Sequence, residues 1–349
     1  MSGVRPGALE AGRLQLALRA GFLFAALLAS LTEPVAAEPA ASTTESKATA
    51  ATAEEQTLFA LPTTFDHIGR VVVATMVNGR GPFRFIVDTG ATYSTVSPGL
   101  VRTLGLKPTE VSGIVVNGIT GTAQVSAVTI DTLQTGDLIV DGLVAPVVWA
   151  PVMAGADGIF GAAGLTEKSL SVDFERNLVR VARSVEPALR KDAMKIHAAR
   201  LTHGLITLES EVGRVRTIAV IDTGSERTLG NLALRDALKI RKRTGAEALV
   251  TSVYGATEQV ERGELWRAPT IAIDRMRIND VQVVYGNFHI FKVWGMEDKP
   301  AMIVGMDVLG TVGSLGIDFK NQDIYFTSSR ADTTKFAPAN ELASTVQRK

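Results

Sequence analysis

The chain of 349 residues contains no cysteine. That excludes disulfide staples, thiolate nucleophiles, iron–sulfur clusters and cysteine-ligated zinc. Histidine is almost as scarce: His67, His197, His203 and His289 lie scattered along the chain. No pair of them has metal-binding helical spacing, so neither a metal nor another cofactor is expected. Charge of one sign is not in excess, with 36 Lys+Arg against 36 Asp+Glu. A chain that grips nucleic acid as its main task usually carries a basic surplus, so no nucleic-acid partner is expected. The sequence has no Gly-Lys dipeptide, which removes a P-loop, and no Gly-x-Ser-x-Gly, which leaves a nucleophile elbow unsupported. Beyond the N-terminal region no stretch approaches the roughly 18 uncharged apolar residues that a membrane helix needs.

What is present is ample core material. Hydrophobic residues make up 46% and mean hydropathy is +0.18, enough to exclude wholesale disorder. The length suits two domains of about 150 residues each. Thirty-two glycines with few aromatics suit a β-rich fold with many tight turns.

Residues 1–37 read as a secretory signal. Arg5, Arg13 and Arg19 supply the basic n-region, the apolar run extends from Ala20 to Leu31, and Val35-Ala36-Ala37 offers a small-residue cleavage site after Ala37. A helix of that run would span only about 18 Å, short of a bilayer core. The mature chain is therefore expected to be exported, periplasmic or secreted, with no membrane span after cleavage. Residues 38–62 are assigned to a flexible spacer. Its bulk (EPAASTTESKATAATAEEQT) has no aromatic and no β-branched aliphatic residue with which to offset ordering entropy. Residues 63–190 and 191–328 form two lobes, and 329–349 a loose tail.

The two lobes are read from an internal repeat. FRFIVDTGATYSTVSPGLVRTLGL surrounds Asp88 and RTIAVIDTGSERTLGNLALRDALKI surrounds Asp222. Each contains an apolar strand, then Asp-Thr-Gly, a small residue, a polar stretch and a helix, over about 97–104 and 231–239. Later come Gly158-Ile159-Phe160-Gly161 and Met302-Ile303-Val304-Gly305, then Leu170-Ser171-Val172-Asp173-Phe174 and Leu315-Gly316-Ile317-Asp318-Phe319, each followed by a turn and a strand. Asn117-Gly118 and Tyr254-Gly255 follow the two aspartates at similar distances and mark hairpin turns, the Asn-Gly pair more strongly. Duplication implies a pseudo-twofold axis, across which the two Asp-Thr-Gly copies would face each other.

One Asp-Thr-Gly is a weak signal, but two at equivalent places in a repeat are specific. The apolar strand carries Asp inward, where a carboxylate needs hydrogen bonds or a partner. Gly permits a tight turn that aims a backbone N–H at the carboxylate, and Thr can hydrogen-bond across to the other copy. Two carboxyls brought within about 3 Å cannot both ionise and share one proton. Such a pair is acid and base together, able to activate water against an amide carbonyl. The alternative reading is two ordinary Asp-Gly turns in a duplicated β-domain. It leaves the wholly apolar strand before each Asp and the shared Thr unaccounted for.

At these residues the sequence resembles the retropepsin-like and pepsin-like aspartic proteases, over roughly residues 63–328. The short lobes and Gly305-Met306-Asp307 look more like bacterial retropepsin-like proteins than like pepsin. The resemblance implies an all-β fold of two pseudo-twofold-related closed-barrel lobes, with a cleft between them under one or two hairpin flaps. Viral members assemble two identical lobes from two chains; here one chain carries both, so a monomer suffices. The resemblance further implies Asp88 and Asp222 as catalytic residues. Thr89, Gly90 and Ala91, with Thr223, Gly224 and Ser225, would support them, and Asn117, Gly118, Tyr254 and Gly255 would stand at the flap tips. Ile159-Phe160-Gly161 and Ile303-Val304-Gly305 would pack beside the active-site loops. The first flap lacks the tyrosine of pepsin-like enzymes, and Tyr254 lies in the second half.

Ala91 and Ser225 break the symmetry of the loops. A Ser225 hydroxyl donating to Asp222 would make Asp222 the more readily ionised member. The implied activity is that of an aspartic endopeptidase acting on peptide or protein substrates. Its alternatives are a non-catalytic peptide-binding module of the same fold and a hydrolase of a specialised envelope peptide or amide. His67 and His203, before the first strand of each half, read as solvated or hydrogen-bonded residues, and Asp131, Asp137 and Asp141 as a solvated strand face. Lys239–Arg243 complement a helix dipole, and Trp149, Trp266 and Trp294 could serve core or cleft.

Overall fold

The computed structural model describes residues 57–329 apart from 63, 67–68, 110–112, 149–152, 184–192, 201–203 and 241–248. The signal-like segment, the spacer up to residue 56, the tail beyond 329, and His67, His203, Trp149 and residues 241–243 lie outside the described residues.

Each lobe grows from the hairpin that ends in Asp-Thr-Gly. In the first, strand Val71–Val77 turns at Asn78-Gly79 into strand Arg80–Asp88. Both turn residues have positive φ, 50° and 70°, as a two-residue type I′ turn requires. Phe85, Ile86 and Val87 are buried, because strand Gly158–Gly161 lies parallel beside them and pairs antiparallel with Thr95–Val96 on its other edge. Ser97 then caps helix Pro98–Leu104, accepting the Leu100 N–H at 3.1 Å, and Gly105 closes it at φ 66°. Strands Ala127–Thr135 and Leu138–Pro146 continue the sheet from Val71–Val77. A bridge from Val147 to Val96 returns its far end to its first strand, so the sheet curls into a nearly closed barrel.

The second lobe repeats this order. Ile206–Val212 and Val215–Ile221 form the hairpin, Ala301–Val304 runs parallel to Ile218–Ile221, and Leu229–Asn231 pairs antiparallel with Ala301–Val304. Asn231 caps helix Leu232–Ala237 with a 2.8 Å bond from Leu234 N–H. That helix ends two residues before the expected 239, where Lys239 turns to φ 55°. The same sheet extends through Gln282–Gly286 to the hairpin of Leu249–Tyr254 and Val260–Arg267. The corresponding hairpin of the first lobe, Ile114–Gly118 with Gly121–Val125, is a separate two-stranded sheet.

A further sheet draws on both halves, in the order Thr57–Pro62, Leu178–Arg183, Lys168–Asp173, Ser314–Asp318, Asp323–Thr327, Met194–His197. At its centre Ser171 lies opposite Gly316, so the Asp-Phe hairpins of the two repeats meet. Both hairpins turn alike: Asp173 Oδ1 accepts the N–H groups of Glu175 and Arg176, and Asp318 Oδ1 those of Lys320 and Asn321. This sheet corrects the spacer boundary. Thr57–Pro62, assigned to the spacer, pairs with Leu178–Arg183. Leu58, Phe59 and Leu61 give TLFALP the apolar content that the preceding polar stretch lacks, and the edge of the sheet offers it backbone partners.

Candidate active site

The strand before each aspartate ends at the junction of the lobes, and the Asp-Thr-Gly turns meet there. Asp88 Oδ1 accepts the N–H groups of Gly90 at 2.8 Å and Ala91 at 2.9 Å. Asp222 Oδ1 accepts those of Gly224 at 2.8 Å and Ser225 at 3.0 Å. The same two-residue turn is thus built twice, each aimed at its own carboxylate.

The threonines lock the turns together. Thr89 Oγ1 donates to the Ile221 carbonyl at 2.8 Å and accepts the Thr223 N–H at 3.1 Å. Thr223 Oγ1 donates to the Val87 carbonyl at 2.7 Å and accepts the Thr89 N–H at 3.2 Å. Both side chains are buried, at 1% and 0% exposure, so the four bonds hold without competition from water.

This brace sets the carboxyls against each other. Asp88 and Asp222 lie close enough to perturb each other's ionisation. Gly90 abuts the Asp222 carboxyl and Gly224 the Asp88 carboxyl, so closely that a Cβ at either glycine would overlap the opposite aspartate. Burial raises both carboxyls above the usual carboxylate range. For Asp88, the hydrogen bonds from Asp222, Gly90 and Ala91 and the charge of Arg70 work against that rise. For Asp222, burial and the neighbouring Asp88 charge both push upward, and it lies well above the usual range. Each carboxyl is therefore pushed toward its protonated form by burial, Asp222 with the Asp88 charge adding to the rise.

The Ser225 side chain departs from the contact expected of it: its hydroxyl donates to the Arg227 carbonyl at 2.9 Å, and its backbone N–H serves Asp222.

The parallel strands beside each loop carry Ile159-Phe160-Gly161 and Ile303-Val304-Gly305 as expected, with the Asp222 N–H donating to the Val304 carbonyl at 3.1 Å. Sequence reading missed the hydroxyls six residues after each aspartate. Ser94 Oγ accepts the Gly161 N–H at 3.1 Å and Thr228 Oγ1 the Gly305 N–H at 3.2 Å. Thr228 also donates to both Asp307 oxygens, at 3.0 Å through its N–H and 2.7 Å through its hydroxyl. A hydroxyl at Asp+6 in both repeats was a visible signal.

The two hairpins meet at their tips. Thr120 Oγ1 and Thr257 Oγ1 are 3.0 Å apart, and Gln259 Nε2 donates to the Thr122 carbonyl at 3.1 Å. Ile119 packs against the second-lobe core cluster that includes Val220, Leu229 and Phe288, while Ala256 packs against the first-lobe cluster that includes Val72 and Ile86. The expected tips shift by a few residues. The first turn is Ile119-Thr120, closed by Gly118 opposite Gly121, and the second loop runs over 255–259 after Tyr254 pairs with Val260. Gly118 and Gly255 instead give each other's tip room. A Cβ at Gly118 would meet Thr257 Cγ2 at 3.2 Å, and one at Gly255 would meet Thr120 Oγ1 at 2.9 Å. Asn117 faces sideways to Thr122 and His289, whose Nε2 lies 2.9 Å from Thr122 Oγ1.

The remaining candidates stay apart from the site. Asp131, Asp137 and Asp141 are exposed on their hairpin, and Trp266 and Trp294 are half-buried. His197 pairs with Asp323 at 3.2 Å on the sheet shared by both halves. No cluster of three metal-ligating side chains occurs among the described residues.

No curated protein matches the chain. The model of the aspartyl protease family matches it twice, over residues 73–163 and 208–308, each match carrying one Asp-Thr-Gly and together covering more than half of the sequence. A twofold match to a one-lobe family, on a chain whose two lobes join their aspartates, has one reading: this chain belongs to the aspartyl protease family, retropepsin-like, with both lobes fused.

Proposed function

We propose that the protein is an aspartic endopeptidase in which Asp88 is the base and Asp222 the acid. The observation that carries this is the close approach of the two carboxyls at the lobe junction, each set against the glycine of the other Asp-Thr-Gly loop. Asp88 carboxylate takes a proton from a water as its oxygen attacks the scissile carbonyl carbon, and Asp222 gives its proton to the carbonyl oxygen. The gem-diol collapses when the protonated Asp88 delivers its proton to the leaving nitrogen and a gem-diol hydroxyl returns one to Asp222. The starting protonation state is restored.

Residues 1–37 support export, and a mature N-terminus at Glu38 is the corresponding expectation. The test of activity uses the chain from Glu38, a peptide library between about pH 3 and 7, a statine-type inhibitor and Asp88→Asn. Cleavage abolished by both treatments is expected. Peptide binding without cleavage by the wild type would replace the enzyme with the binding module.

A further inference from the structure

The pseudo-twofold fails at one buried position beside the dyad. Val72 pairs with Ile86 in the antiparallel ladder that leads to Asp88. Continued two residues beyond its last paired residues, that register would set Arg70 opposite Asp88, whose ionisation the Arg70 charge does favour. In the second lobe Thr207 pairs with Val220, and the same step sets Leu205 opposite Asp222. Directly opposite residues of an antiparallel pair project on one face of the sheet. One aspartate therefore has a cation for its cross-strand neighbour and the other has a leucine. Both neighbours are buried, at 2% exposure each.

Arg70 is fixed in place. Its Nε and one terminal guanidinium nitrogen each lie 2.7 Å from Asp66 Oδ2, and its N–H donates to Asp66 Oδ1 at 2.9 Å. Asp66 is itself 3% exposed. A buried Arg is costly to desolvate, and the ion pair with Asp66 alone is weak grounds for keeping one where the other lobe uses leucine. A fixed cation beside a carboxyl favours its ionised form.

We infer that Arg70 is a positioning residue that sets the charge asymmetry of the dyad: with Arg70 opposite Asp88 and Leu205 opposite Asp222, the carboxylate stays on Asp88 and the proton on Asp222. The inference deepens the proposed hydrolase reading and rests on it. The groups that face Asp88 are Asp222, the N–H groups of Gly90 and Ala91, and Arg70 with Asp66 behind it. Among the described residues only Arg70 of these is a cation. Asp66 offsets part of its field, which gives the test a second sign.

The test is the pH profile of kcat/KM for Arg70→Lys, Asp66→Asn and the double variant Asp66→Asn/Arg70→Met, each first shown to unfold cooperatively. The acidic limb reports ionisation of the base. In the double variant that limb moves to higher pH, with a several-fold larger loss of activity at the acid edge than at the optimum. Arg70→Lys keeps the limb near its wild-type place, because the charge remains. Asp66→Asn moves it to lower pH, because the offsetting anion is gone. An acidic limb that stays put in the folded double variant, or a shift confined to the alkaline limb, overturns the inference. If the double variant does not fold, an unmoved limb in Asp66→Asn overturns it.

Carboxyl carbon-13 titration of Asp-labelled protein, assigned with Asp88→Asn and Asp222→Asn, reads the same effect without turnover. Loss of the Arg70 charge should raise Asp88 more than Asp222. A wild type that cleaves no peptide would defeat the hydrolase reading, and the titration would then decide on Arg70 alone.

Discussion

Replacing Thr89 by Val removes a hydroxyl and almost no volume, so it probes the brace between the lobes without opening a cavity. Two groups lose their partner: the Ile221 carbonyl, which accepted at 2.8 Å, and the Thr223 N–H, which donated at 3.1 Å. Thr89 and Thr223 are 1% and 0% exposed, so water does not replace what is lost. Leaving a buried polar group unsatisfied costs about 1–3 kcal/mol, and two such groups about 2–6 kcal/mol. Against a typical total of about 5–15 kcal/mol that is a large fraction. The corresponding fall in Tm is roughly 4–24 °C at about 2–4 °C per kcal/mol.

Thr223→Val strands the mirror pair, the Val87 carbonyl and the Thr89 N–H, and should cost the same within about 1 kcal/mol. Thr89→Ser keeps the hydroxyl and loses one methyl, worth about 1 kcal/mol. Urea unfolding of the three variants beside wild type measures all of this. A cost below about 1 kcal/mol for Thr89→Val, or no difference between Val and Ser, would show that the hydroxyls do not carry the brace.

Three further outcomes follow from the same geometry. Gly224→Ala drives a methyl into the Asp88 carboxyl, so peptide cleavage should fall at least about 100-fold, as for loss of general acid–base catalysis; near-wild-type kcat would refute the close approach. Asp222 is raised by burial above its unfolded value of 3.8, so stability from that group is greatest below that pH and is lost as pH rises through the folded value. Asp222→Asn removes the penalty, and its Tm should exceed that of wild type by a margin that widens from pH 4 to 7; a constant margin would count against the raised carboxyl. His289→Ala removes the imidazole contact of Thr122 and Asn117 and leaves the first hairpin its tip contacts to the second lobe, so amides 114–125 should exchange faster while 260–267, stitched into a larger sheet, stay protected. Uniform acceleration of both hairpins would refute the asymmetry.

The repeat was legible because its landmarks are local. An apolar strand, an Asp-Thr-Gly turn and a capped helix each satisfy their own hydrogen bonds within a few residues, and they recur in both halves. The pairing of the two turns followed from the duplication. What stayed hidden depends on distant neighbours. Asn117-Gly118 has the composition of a turn, yet Gly118 is needed for the approach of Thr257 and the turn falls on Ile119-Thr120. Ser225 sits where a donor to Asp222 would sit, but its hydroxyl finds the Arg227 carbonyl two residues on. Arg70 looks like any arginine before a strand until the register brings it across from Asp88. Residues 57–62 end a polar stretch, and only the open edge of Leu178–Arg183 shows why they are ordered.

The ladder of Ser169–Asp173 with Ser314–Asp318 has a consequence for how the molecule comes apart. Neither half owns that sheet, so a cut between the lobes by protease or gene design would leave each fragment with a bare strand edge in search of a mate. Calorimetry should accordingly record one endotherm for the intact chain, and a fragment such as 57–190 should self-associate or aggregate instead of standing as a free monomer.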